Sequence, residues 1–471
     1  MISMTLAQIA EAVAGVVVGP PDLVVSGEPF LDSREPVPEG LFVAVAGEHV
    51  DGHDYAAAAV DRGAAAVLAS RDVGVPAVLV DDVVAALGRL ARAVLDRLPD
   101  LTVLALTGSQ GKTGTKDFLG HVLAAAGPTV ATRGNLNNEL GVPLTALRCT
   151  GDTRFLVVEM GARGVGHIGY LCSIAPPRVA AVLNVGTAHL GEFGSVEGIA
   201  RAKGEIVESL PADGVAVLNA DDPRTAAMAS RTAARVLTFG SAGEVAWRDV
   251  TADDLGRPAY SLGFAGEWLP VRLSQVGSHQ VANATAAAAM ALAAGVPLGL
   301  VAEALNRPAP GSRWRMELHQ RDDGLVVVND AYNANPASMR AALDALRDLG
   351  RRRGRTFAVL GEMRELGPGA GALHRDVGGY AAACEVDVVV AVGPEAAAIA
   401  AGARHAPGWA GLAVDTAGRD AALAWVRNNV TAGDVVLVKA SRGAALEVLA
   451  EGLLAPTGAA PTASDQGDPG A

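Results

Sequence analysis

The feature that most limits how this chain can fold is a recurring one: short unbroken apolar runs, each closed by glycine or a polar residue. They include TVLALTG (102–108), RFLVVEMG (154–161), VAAVLNVG (179–186) and GVAVLNADD (214–222), then GLVVVNDAYN (324–333), TFAVLGEM (356–363), VDVVVAVG (386–393) and DVVLVKASRG (434–443). Helical stretches lie between them. A strand that is apolar on both faces has to be covered on both, which calls for a parallel sheet with helices on either side. Ligands of such sheets gather beyond the C-terminal strand ends, where these runs carry their polar residues.

At 471 residues the chain exceeds what one core serves, and the runs group into three α/β units. LFVAVAG (41–47), AAVLAS (65–70) and PAVLVDD (76–82) alternate with alanine-rich stretches such as 54–63, giving a small N-terminal α/β domain over 1–98. A central P-loop-type parallel sheet is expected over 99–308. Within it, segment 236–277 has shorter alternating runs and many turn residues, so an antiparallel edge or insert is expected there. The most apolar window, AAAAMALAAGVPLGLVAEAL (286–305), falls just short of a spanning length, and Gly295 with Pro297 breaks it into two helices. RPAPGSR (307–313) reads as a linker into a C-terminal Rossmann-like α/β domain over 309–454. Residues 455–471 lack apolar periodicity and are expected to be disordered.

A net charge of −13 with no basic stripe argues against nucleic acid or an anionic membrane as partner. Any anionic substrate must then be held by local cations. Cys149, Cys172 and Cys384 fit neither a paired framework nor a C-x-x-C ligand spacing and read as small buried residues. The N-terminus carries Glu11 and no basic stretch leading into an apolar run, so no secretory signal or stable membrane insertion is expected, and the expected address is the cytoplasm.

LALTGSQGKTGTKDFL (104–119) carries the chemistry. Gly108, Ser109 and Gly111 allow backbone N–H groups to turn toward an anion, and the helix beyond them adds its positive N-terminal end. Lys112 is placed to reach the β and γ phosphates of a nucleotide and Thr113 to ligate Mg²⁺. The spacing is the short G-x-x-G-K-T, with Leu106 where the longer form has glycine, so nucleotide binding is expected but the reaction stays open.

Other polar residues fall on the same rim. Glu159 closes FLVVEMG and offers the oxygen ligand Mg²⁺ prefers. His189, in LNVGTAHLGEFGS, could complete a metal site or be structural. Lys203, in VEGIARAKGEIVESL, reads from composition alone as an exposed helix lysine pairing with Glu197, Glu205 or Glu208.

These segments resemble the Mur ligases, ATP-dependent amide-forming enzymes of peptidoglycan precursor synthesis, over nearly the whole chain. TGSQGKTGTK is similar to the family's ATP loop, VVEMGA to its acidic metal position, NVGTAHLGEFGS and AKGEI to its histidine and lysine positions, GSHQVANATAA to its adenine-side segment and WRMEL to its linker arginine. NLNNELGVPLT (135–145), EMGARGVGHI (159–168), NDAYNANPASM (329–339) and LGEMRELG (360–367) resemble the F-type branch, whose members join D-alanyl-D-alanine to UDP-N-acetylmuramoyl-tripeptide. Gly114 departs from the usual threonine, and Ala440 in KASRG from the usual glycine.

The resemblance implies an acyl phosphate formed from ATP and the tripeptide carboxylate, then displaced by the dipeptide amine. Lys112, Lys203 and His189 would be catalytic. Thr113, Glu159 and His189 would hold Mg²⁺, with Lys203 carbamylated. Gly108, Ser109, Gly111, Asn283, Arg315 and Asp330 would contact ATP, with Arg313 the alternative to Arg315. Ser33 and Arg34, in LDSREPVPEGLFVAVAGEHVDGHDY, would meet the uridine end, although Arg34 could equally be a surface ion-pair residue. Asn137, Asn138, Tyr332, Asn333 and Asn335 would meet substrate, although Asn and Asp in turns commonly serve as backbone caps. A monomer is expected. Another Mur-type or folylpolyglutamate-type ligase, or a nucleotide-binding protein without catalysis, remain the alternatives.

Overall fold

A computed structural model describes residues 1–47, 49–186, 193–308, 311–351 and 353–455. The apolar runs become strands, and their order explains how the polar rims meet. The first four-stranded sheet runs Val16–Val18, Ala77–Leu79, Ala66–Ala69, Leu41–Val43, parallel except for the Val16–Val18 edge. Helices Leu6–Val13 and Val83–Leu95 cover one face. The second of these packs on Gly141–Ala146 and His167–Ile174, so the first core runs without interruption into one face of the central sheet.

That central sheet has nine strands, in the order Glu267–Arg272, Pro258–Phe264, Val245–Ala252, Arg235–Gly240, Val215–Asn219, Val179–Val182, Thr102–Thr107, Phe155–Glu159, Thr129–Ala131. From Arg235–Gly240 to Thr129–Ala131 it is parallel, and helices His279–Ala293 and Lys112–Ala126 pack together on its other face. The expected antiparallel edge is present as the meander Val245–Arg272, but it begins later than the sequence predicts: Arg235–Gly240 is still parallel to its neighbour. The alternation at 236–240 brings no change of direction: the strand is the fourth of nine and parallel to Val215–Asn219. Helices His279–Ala293 and Leu298–Leu305 are separated at Gly295, whose φ of 87° is in the left-handed region, and Pro297. No helix among the described residues is long and apolar enough to cross a membrane. The three cysteines are free and buried.

The last sheet runs Glu317–Gln320, Val326–Asp330, Val435–Lys439, Thr356–Leu360, Val388–Val392, Leu412–Thr416, parallel but for its first strand. Its two faces are covered by separate apolar layers. Val276, from the central unit, packs into one of them beside Leu349 and Ala345, so the last unit sits against the central one. Of the tail expected to be disordered, residues from 456 onward lie outside the described residues, as does His189.

Candidate active site

The glycine turn after Thr102–Thr107 leads into helix Lys112–Ala126 through Gly111, whose φ is 77°. A side chain at Gly111 would collide with Asn283 Oδ1, so glycine is required both by its backbone conformation and by its neighbour. A Cβ at Gly114 would stand 3.1 Å from Asn283 Nδ2 and 3.4 Å from Gln280 Oε1. Those two side chains are hydrogen-bonded to each other at 3.0 Å, which accounts physically for glycine at 114: a threonine would crowd the pair.

The segment after Val179–Val182 fixes the loop. Gln110 N–H donates to Asn184 Oδ1 at 2.9 Å, Asn184 Nδ2 donates back to Gln110 O at 3.1 Å, and Gly186 N–H donates to Ser109 Oγ at 2.9 Å. Lys112 Nζ donates to Gly108 O at 2.8 Å, folded back over the turn. Burial pushes its pKa down; Glu159 opposes this and Arg315 adds to it.

Glu159, 2 % exposed, closes its strand beside this loop. Its two oxygens accept from Thr113 Oγ1 at 3.0 Å and Asn137 Nδ2 at 2.8 Å. Its own N–H donates to Thr132 Oγ1 at 3.1 Å. A hydroxyl and a carboxylate are hard oxygen donors of the kind Mg²⁺ takes, so this pair fits the ion.

Lys203 overturns its bland reading. It is 5 % exposed, and Glu205, Glu208 and Glu197 turn instead to the Gly166 and Gly169 N–H groups, Arg231 and Arg224. Among the described residues it has no hydrogen-bond or ion-pair partner. Burial, followed by the charge of Lys112, drives its pKa well below the usual lysine value.

The last sheet meets this rim across the linker. Arg315 lies with its guanidinium carbon 4.2 Å from the Tyr332 ring, and its Nε is buried without a partner. Arg313 turns outward, 74 % exposed, toward Glu451 at 3.8 Å and the Trp314 ring. Of the two arginines, Arg315 is the one whose charge reaches Lys112. Asp330 accepts from Lys439 Nζ at 2.6 Å and from Met316 N–H at 3.2 Å, and Lys439 also donates to Asn333 O at 2.8 Å.

Several predicted residues bond local backbone N–H groups. Asn335 begins helix Pro336–Gly350 in a capping box with Ser338. Asn138 Oδ1 accepts from Gly141 N–H at 2.9 Å, and Asn333 Oδ1 from Ala334 N–H at 2.8 Å. Asn283 caps nothing; its side chain faces Gly111. In the first unit, Arg34 pairs with Asp32 at 2.6 Å and is 66 % exposed, while Ser33 is buried and its carbonyl accepts from Arg62 at 2.9 Å. His53 ties the same region together, bonding Asp51 at 2.6 Å and accepting Ser70 N–H at 2.9 Å.

Residues 106–291 match the Mur ligase middle domain, 314–442 the Mur ligase glutamate ligase domain and 30–104 the Mur ligase family catalytic domain. The UDP-N-acetylmuramoyl-tripeptide–D-alanyl-D-alanine ligase of Mycobacterium tuberculosis (strain ATCC 25618 / H37Rv) is 46% identical over 97% of this chain and 98% of its own. The chain belongs to the Mur ligase family. The Escherichia coli (strain K12) ligase of the same name is 35% identical to this Mur ligase over 96% of it and 99% of its own length. A crystal structure of MurF from Acinetobacter baumannii superposes with a TM-score of 0.86 at 34% identity, covering 96% of this chain and 99% of that one. MurF from Thermotoga maritima in complex with ADP gives 0.77 at 32% identity, covering 91% and 97%.

Sequence reasoning misses Asn184, Lys116, Asp117 and Lys439 in this Mur ligase. Lys439 carries the same signal as Glu159, a charged residue closing an apolar strand. Lys116 shares with Lys203 a place on the buried stripe of a helix, where a charge is conspicuous.

Proposed function

We propose that this Mur ligase joins D-alanyl-D-alanine to UDP-N-acetylmuramoyl-tripeptide, converting ATP to ADP and phosphate. The observation that carries the reading is the convergence of Lys112, Thr113, Glu159 and Arg315 where two parallel-sheet rims meet. A triphosphate and a carboxylate repel each other, and this is where cations and oriented N–H groups stand to offset that repulsion.

A tripeptide carboxylate oxygen attacks the γ-phosphorus; an O–P bond forms and the bond to the ADP oxygen breaks. The dipeptide amine then attacks the acyl carbon of the acyl phosphate, the C–N bond forms, phosphate leaves with the former carboxylate oxygen, and the amine proton passes to solvent or phosphate. Lys112 and the N–H groups of Gly108 and Gly111 hold the β and γ phosphates, Ser109, whose own N–H donates to Asn184 O at 3.2 Å, shapes the ATP loop, Arg315 faces the phosphates from the linker, and Asn283 contacts adenine beside Gly111. Asp330, fixed by Lys439, contacts ATP from the last sheet. Thr113 and Glu159 would hold one Mg²⁺ and Glu159 with His189 a second; bound there, the metal offsets the charge between phosphate and carboxylate.

Lys203 is carbamylated in this reading. Burial and the charge of Lys112 push this lysine toward its neutral amine, the form that adds carbon dioxide, and the resulting carboxylate-like group would orient ligands near the metal. Asn137 and Asn138 lie along the tripeptide, Ser33 and Arg34 at its uridine end, and Tyr332, Asn333 and Asn335 frame the dipeptide. The units over 1–98, 99–308 and 309–454 then act as uridine-nucleotide, ATP and closing domains of a cytoplasmic monomer.

The test incubates the protein with ATP, Mg²⁺, UDP-N-acetylmuramoyl-tripeptide and D-alanyl-D-alanine, omitting each in turn. Ligated product requiring all four supports the reading; product with another amine acceptor in place of the dipeptide, or ADP release indifferent to the acceptor, overturns it.

A further inference from the structure

We propose that Asp117, held by Lys116, is a positioning residue: it fixes the interdomain linker at Ser312 and so delivers Arg315 to the phosphate loop. The inference rests on the ATP-ligase reading but concerns residues to which that reading gives no task. Asp117 and Lys116 lie in the second turn of the helix that begins at Lys112.

Lys116 is 4 % exposed, an uncommon place for a lysine in a helix that packs on apolar neighbours. Its Nζ stands 2.5 Å from Asp117 Oδ1 and donates to Thr132 O at 3.0 Å and to Ser312 Oγ at 3.3 Å. Asp117 in turn accepts Ser312 N–H at 2.8 Å and its hydroxyl at 3.1 Å. Thr132 is the residue whose hydroxyl accepts the Glu159 N–H, so one polar chain joins the carboxylate strand, the ATP helix and the linker. Burying an ion pair gains a helix little stability that apolar residues would not supply. What this pair supplies is a fixed point for Ser312.

The fixed point matters because the linker is strained just beyond it. Trp314 has φ 59° and Met316 φ 50°, left-handed conformations that bulky side chains adopt only when their surroundings hold them there. Arg315 lies between. The C-terminal unit holds the far side: Tyr332 N–H donates to Trp314 O at 3.2 Å, Met316 N–H to Asp330 Oδ1 at 3.2 Å, and the Arg442 guanidinium covers the Trp314 ring at 4.3 Å. The strained stretch is thus held between two anchors. Released at Ser312, it can relax toward right-handed φ and carry Arg315 off Tyr332 and away from Lys112.

A double-mutant cycle in the full-length enzyme tests this, with phosphate release in the complete substrate mixture as readout. Asp117→Asn is expected to raise KM for ATP about tenfold, the scale of losing a hydrogen bond to a charged group, and to leave KM for D-alanyl-D-alanine unchanged. Ser312→Ala should show a smaller rise and Ser312→Thr should restore it. Because the latch acts through Arg315, Asp117→Asn combined with Arg315→Ala should be no worse than Arg315→Ala alone. Losses that multiply in the double variant, or an Asp117→Asn enzyme with a lowered Tm and unchanged KM for ATP, would overturn the proposal. Calorimetry with a non-hydrolysable ATP analogue reads the same cycle without turnover, so a wild-type enzyme that ligates nothing would sink the ligase reading and still leave the latch decided.

Discussion

Lys203 and Lys439 are both buried, at 5 % and 2 % exposure, one on a helix of the central unit and one closing a strand of the last sheet. Their surroundings are opposite. Lys439 closes a strand and meets Asp330 and the Asn333 carbonyl, so its charge is matched. Lys203 projects from a helix toward another cation, and burial with the nearby Lys112 drives its pKa down. Burial alone therefore does not assign a lysine its role; the partner does. Lys439 braces Asp330 through its ion pair, whereas burial and the charge of Lys112 push Lys203 toward its neutral form.

The widest margin belongs to Lys112, the cation beside Lys203. Lys112→Ala should lower turnover by roughly 10²-fold or more, the scale of removing a preorganised charge-stabilising donor; phosphate release within a few-fold of wild type would remove Lys112 from the reaction. Next, Lys439→Met should cost about 3–5 kcal/mol of stability, since it strands the Asp330 carboxylate without its counter-charge. Urea midpoints measure this.

Lys203→Met sharpens the contrast because its stability effect has the opposite sign. Below the ordinary lysine pKa of about 10.4 the unfolded chain binds a proton that the folded chain resists, so folding is penalised there. In bicarbonate-free buffer the variant should melt higher than wild type at neutral pH, with the difference shrinking as pH rises toward that value, while turnover is lost. A lower Tm at neutral pH would contradict the unmatched-lysine picture. Wild-type activity should also rise with bicarbonate, and intact mass should reveal an adduct of one carbon dioxide that Lys203→Ala lacks. As pH falls through the lowered pKa the neutral amine disappears, so the bicarbonate response should fade on acidification. The smallest effect separates the two linker arginines: Arg315→Ala should raise KM for ATP about tenfold, and Arg313→Ala, at the surface beside Glu451, should leave it unchanged.

How far these contrasts can be read from sequence depends on the range of the interactions. Strand ends are local: a carboxylate after FLVV or a glycine turn after TVLALT falls on the sheet rim whatever else the chain does, so Glu159 and Lys112 are legible at once. Helix Val196–Glu208 also carries its signal, since Lys203 shares a stripe with Ile199 and Ile206, but composition alone suggests exposure, and the stripe outweighs the charge. The Asp117–Ser312 contact spans 195 residues, and no period or spacing announces it. The choice of Arg315 over Arg313 rests on the left-handed turns at Trp314 and Met316, residue types that do not predict such a conformation. Asn335 shows the reverse: this turn asparagine matches a family motif and also caps a helix, because a cap can shape a site wall.

The central claim is that the site at Lys112, Thr113 and Glu159 activates the tripeptide carboxylate by phosphorylation before the amine arrives. UDP-N-acetylmuramoyl-tripeptide carrying heavy oxygen in its terminal carboxylate tests it directly, with mass spectrometry of the phosphate released during ligation. An acyl phosphate requires one labelled oxygen to appear in each phosphate; phosphate free of label, with both heavy oxygens accounted for elsewhere, would contradict the account.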